Sequence, residues 1–117
     1  MESKNEKILH LTLKRQWFDM IASGVKAEEY REIKPYWVNR LANEHVGSIG
    51  GDFMDKHKVA AYKFKPYTHI VFKHGYAKNA PTIKVECLGI SIGTAKPEWS
   101  DNWIGEVFII KLGNIIK

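Results

Sequence analysis

A single cysteine, Cys87, is all the thiol chemistry in this 117-residue chain. One thiol cannot build a disulfide framework or a cysteine zinc site, and the apolar neighbours Val85 and Leu88 assign it to packing. No apolar run is long enough to span a bilayer, so no membrane partner is expected. The opening Met1-Glu2-Ser3-Lys4-Asn5-Glu6-Lys7 is charged and lacks the apolar stretch of a signal peptide. Residues 1–7 are therefore expected to be a flexible N-terminus, and the protein cytoplasmic. No long basic block is present, which argues against a disordered nucleic-acid tail. A Gly-rich phosphate loop, a G-x-S-x-G elbow, H-E-x-x-H and paired C-x-x-C are all missing. The five histidines (His10, His45, His57, His69, His74) have no metal-ligand spacing, so neither metal nor cofactor is expected.

What is present is a globular composition, 44% apolar and 26% charged, at a length suited to one core; residues 1–117 read as a single domain. Lys and Arg number 18 against 13 acids, a net charge of +5 that suits a polyanionic partner. The surplus is uneven: residues 41–80 carry six lysines and three acids, whereas residues 81–117 carry four of each. An anion-binding surface would have to be assembled by folding.

Hydropathy patterning organises the chain. Leu9, Leu11 and Leu13 alternate as one face of a strand over Ile8–Leu13. Trp17, Phe18, Met20 and Ile21 then recur at helical spacing, and Gly24 stands where a left-handed residue closes a helix. Residues 26–34 have helical propensity, yet the break at Gly24-Val25 favours a second strand. Pro35 suits the first position of another helix with Tyr36, Trp37 and Leu41 on its apolar side. Residues 43–66 read as a long irregular insertion containing Gly47, Gly50, Gly51 and four lysines. Strands follow over 67–73, 82–92 and 107–116, with turn chemistry at 75–81. The change of phase at Cys87-Leu88 fits a bulge where a sheet curls. Val107-Phe108-Ile109-Ile110, apolar without alternation, predicts burial on both faces. The expected class is α+β: a small mixed, strongly curved sheet or pseudo-barrel with two or more short helices.

The densest polar stretch, Gly24-Val25-Lys26-Ala27-Glu28-Glu29-Tyr30-Arg31, carries the chemistry. On a strand Glu29 and Arg31 share a face, and Lys26 points away unless the preceding turn reorients it. A Glu29–Arg31 pair would hold a guanidinium fork for a phosphate or a base edge. Burial and Arg31 would lower the Lys26 pKa and the acids would raise it, which favours a protonated, anion-binding lysine. The same triad is also what a structural ion-pair network on one strand looks like. Nearby aromatics, Tyr30, Tyr36, Trp37, Tyr76, Trp99 and Trp103, include rings on which bases could stack, Tyr76 the most exposed of them by context. Trp17, Phe18 and Trp37 read equally well as core. Lys14 and Arg15 at the strand-to-helix junction could add phosphate contacts.

G-x-K-x-x-E-x-R at Gly24, Lys26, Glu29 and Arg31, following a strand and a short helix, resembles the signature of the ASCH domain of the PUA-like superfamily. The resemblance extends over the order of elements from residue 8 to 116, apart from the 43–66 stretch. It implies a pseudo-barrel with a cationic cleft beside the motif and an RNA, nucleotide or nucleoside partner. The binding candidates are the motif residues Lys26, Glu29 and Arg31, flanked by Tyr30 and Tyr76, with Lys14 and the lysine-rich stretch 56–65 extending the surface. Some bacterial members of the family are small amidohydrolases on acetylated cytidine nucleosides, and some relatives are linked to RNA cleavage. In the amidohydrolases the motif lysine is the nucleophile or base and a threonine follows three residues later. Lys26 matches the lysine, but Glu29 stands in place of the threonine. If the chain were such an enzyme, Lys26, Glu29 and Glu86 would be its catalytic candidates. A protein-interaction module is the third expectation. Nothing in the pattern sets an oligomeric state.

Overall fold

The computed structural model describes residues 5–45, 62–101 and 105–116. The chain is α+β, with a five-stranded mixed sheet strongly curled into a half-barrel and two helices. In chain order the elements are β1 (Ile8–Leu13), α1 (Arg15–Ala22), β2 (Glu28–Arg31), α2 (Pro35–Leu41), β3 (Ala42–His45), β4 (Tyr62–Phe64), β5 (His69–His74), β6 (Thr82–Thr94), a 3-10 turn (Pro97–Trp99) and β7 (Glu106–Ile116). The main sheet runs β1-β5-β6-β7-β2, parallel between β1 and β5 and antiparallel elsewhere. Both N-terminal strands therefore lie at its edges. Because the sheet curls, β1 and β2 border an open seam.

Alternation decides what fills the concave side. Leu9, Leu11, Leu13, Ile70, Phe72, Val85, Phe108 and Ile110 point inward and are buried. Trp17, Phe18 and Ile21 of α1, with Val38 and Leu41 of α2, close the core from above. Gly24, at a φ of 85°, lets the chain turn out of α1, and its neighbours Val25 and Lys26 both donate backbone N–H groups to Met20 O. The register of β6 against β7 shifts on both sides of Cys87, and Gly89 sits at a φ of 135°, so the bend falls where the hydropathy changes phase. β7 is buried on both faces: Phe108 and Ile110 in the main core, Val107 and Ile109 in a second cluster with Tyr30, Ala95 and Trp99.

One expectation is corrected. The ends of the 43–66 stretch are not irregular, because β3 and β4 pair antiparallel as a separate two-stranded ribbon. β3 continues directly from α2, where the backbone becomes extended at Ala42 (φ −118°, ψ 146°). Local propensity alone did not reveal that pairing, which joins residues across the whole stretch. Residues 46–61, with most of the lysine-rich 56–65 run, lie outside the described residues, as does Trp103. Of that run's described lysines, Lys65 donates to Asn39 O at 2.9 Å.

Candidate functional site

The seam between β1 and β2 opens into a cleft of about 510 Å³. β1 supplies one wall from His10 to Lys14, and β2 supplies Glu29, Tyr30 and Arg31. α2 contributes Tyr36, Trp37 and Arg40, and the turn after β6 contributes Trp99, Ser100 and Asp101. Tyr76, on the β5–β6 turn, overhangs the mouth with 90% of its surface exposed.

Register explains the charged floor. Glu29 lies opposite Ile110 and Arg31 opposite Phe108, so both polar side chains project to the concave face beside core residues. An isolated carboxylate there would be strongly destabilising. Glu29 is instead held between two cations: Oε1 lies 3.3 Å from Lys26 Nζ, and Oε2 pairs with Arg31 Nη1. Arg31 also donates from Nη1 to Tyr30 O at 2.7 Å and from Nη2 to Thr12 O at 3.4 Å, so it bridges the seam. Its guanidinium lies 5.0 Å from the centre of the Trp37 ring. These contacts present Arg31 to the cleft in one orientation.

Lys26 stands behind this floor. Its side chain is 1% exposed and is absent from the cleft walls. The turn at Gly24-Val25 redirects it, so that Nζ donates to Glu28 O at 2.6 Å and Trp99 O at 2.7 Å, with Glu29 as its third partner. The ammonium also sits against the Trp17 and Tyr30 rings, 5.2 and 4.7 Å from their centres. Three acceptors saturate its donors. Burial nevertheless pushes its pKa below the ordinary lysine value, Glu29 opposing that shift. The two cations thus meet on Glu29, and only Arg31 faces the hollow.

Tyr30 lies on the opposite face of β2, packed in the second cluster and 2% exposed. Its hydroxyl donates to Glu28 Oε1 at 2.6 Å and accepts the Lys96 N–H at 3.2 Å, so its ring is not a free stacking surface. Burial, then the Glu28 contact, raises the phenol pKa well above its usual value near 10. A raised folded-state pKa gives stability that is complete below the unfolded value and lost as pH climbs through the folded one. Tyr30→Phe is accordingly expected to cost about 1 kcal/mol near pH 8. It should also remove part of the wild type's loss of stability above pH ~10, read from urea midpoints at both pH values. Tyr67, raised mainly by burial, retains the remainder.

Lys14 stands at the rim and pairs with Asp101 at 3.0 Å across the cleft mouth. Arg15 pairs with Asp19 on the exposed side of α1. Glu86 is not brought to the cleft: its Oε1 accepts the Asn114 N–H at 3.0 Å, and its strand partner is His69. Arg40, like Ser100 and Asp101, is a site residue the sequence reading missed. It lies near the Tyr36 and Trp37 rings, 5.9 and 5.4 Å from their centres, and donates to His10 O at 3.0 Å. The available signal was spacing, since residues 36, 37 and 40 share one side of a helix. Among the described residues no three His, Cys, Asp or Glu side chains gather as a metal site. No helix among them is long and apolar enough to cross a membrane. Compared with protein-family models, curated proteins and solved structures, the chain has no match.

Proposed function

We propose that this chain is an RNA- or nucleotide-binding domain of ASCH type that holds a nucleobase in the β1–β2 seam. The carrying observation is the cleft's composition. Tyr36, Trp37, Tyr76 and Trp99 alternate with the guanidiniums of Arg31 and Arg40 in a hollow of about 510 Å³. That volume lies within the range of small-ligand sites. Aromatic faces interleaved with fixed cations suit a planar base attached to a phosphodiester. Both wall carboxylates, Glu29 and Asp101, are already paired with cations. Binding of a labelled single-stranded RNA, followed by fluorescence anisotropy at low salt, tests the reading. Tyr76→Ala is expected to weaken binding by about 1–3 kcal/mol, the scale of one base–aromatic stack. The melting temperature should not change, because the ring is exposed. No binding by the wild type at low salt would overturn the proposal.

The hydrolase alternative needs Lys26 as nucleophile or base. Its lowered pKa supports that alternative, whereas its burial and three acceptors support binding. Incubation with acetylated cytidine is expected to yield no product. Turnover that Lys26→Ala abolishes would replace the binding reading with the enzymatic one.

A further inference from the structure

A second hollow, about 300 Å³, lies on the outer face of β1 and β5 and shares His10, Leu11 and Thr12 with the first cleft. Its chemistry is different. The register sets Thr12, Lys73 and Thr82 in one row across β1, β5 and β6, and Val71 lies beside His10 in the next. Lys78 enters from the β5–β6 turn. Among the described residues no acid and no Phe, Tyr or Trp side chain lines this hollow, whose one ring is the His10 imidazole. The acid Glu6, which is held by Lys84 at 2.9 Å, is not among the lining residues. One turn overhangs both hollows, with Tyr76 over the first and Lys78 over the second. The base of that turn is closed by His74 N–H donating to Pro81 O at 3.0 Å.

We infer that the two hollows form one track for single-stranded RNA: a base enters the seam, and the flanking phosphates cross Thr12 to lie between Lys73 and Lys78. The division of labour follows from the walls. Rings and guanidiniums suit a planar base, while two ammonium groups with threonine hydroxyls, and no carboxylate among the described lining residues, suit phosphate oxygens. The inference rests on the base-binding reading above and adds that the ligand is a strand, longer than one nucleotide.

Labelled RNA hexamers of each base, titrated over a range of salt, test the track with three proteins. The double variant Lys73→Gln/Lys78→Gln is expected to bind about tenfold more weakly at low salt. Its log–log salt slope should be shallower by about 1.4, the loss of two phosphate contacts on a single strand. Tyr76→Ala should weaken binding with the slope unchanged. If the double variant keeps wild-type affinity and slope while Tyr76→Ala binds poorly, the track is overturned and the base site stands. If neither variant differs from the wild type, or the wild type binds no hexamer, both readings fall.

Discussion

Glu29→Ala is expected to lower the unfolding free energy by about 3–5 kcal/mol, the range for breaking a buried ion pair by removing one partner. The carboxylate lies on the concave face among core residues and pairs with both cations. Without it Lys26 keeps the Glu28 and Trp99 carbonyls, and Arg31 keeps the Tyr30 and Thr12 carbonyls. Their charges would remain beside each other in a partly dry pocket, and a methyl group would leave room that neither can fill. Urea unfolding at neutral pH measures the loss. Glu29→Gln should recover part of it, because an amide oxygen can still accept from one of the cations. A cost below about 1 kcal/mol, the level of an exposed pair, would show that Glu29 is solvated.

Lys26→Met is expected to cost about 2–4 kcal/mol. Methionine replaces the aliphatic stem, so the variant removes little except the ammonium. Glu28 O and Trp99 O lose a donor, at roughly 1–3 kcal/mol for each group left buried and unsatisfied. Part of that loss is offset, because keeping an ammonium buried carries a desolvation cost that methionine does not. The Trp99 contact carries the second consequence. Lys26 ties β2 to the turn that forms the Trp99–Asp101 wall, so its removal should loosen that wall. RNA affinity is expected to fall although Lys26 itself does not line the cleft. A double-mutant cycle with Glu29→Gln should give strong coupling, since the two share one ion pair. Additive costs would place them in separate networks.

Much of the architecture was legible because periodicity reports burial directly. Leu9, Leu11 and Leu13 marked β1, the 17–21 spacing marked α1, and Gly24 and Pro35 marked the boundaries of the helices. The uninterrupted apolar run at 107–110 reflected a strand covered on both sides. Pairings between distant residues were not legible, as the β3–β4 ribbon illustrates. For the site, alternation correctly set Glu29 and Arg31 on one face, but which face depended on the register with Phe108 and Ile110. That same register set the Tyr30 ring on the opposite face of β2, in the second cluster. Lys26 lies before β2 begins, so strand parity could not place it; the backbone turn onto Met20 O does. Arg40 escaped notice because its carbonyl partner on β1 is distant in sequence.

The guanidiniums at the seam also cover a strand edge. β1 is an edge strand, and the outward carbonyls of His10 and Thr12 are occupied by Arg40 and Arg31. An uncovered edge invites another polypeptide to dock as an extra strand, and charged side chains are a common way to prevent that. Neutralising both arginines would therefore expose an adhesive rim as well as remove cations from the cleft, so such a variant should self-associate at high concentration while either single replacement stays dispersed.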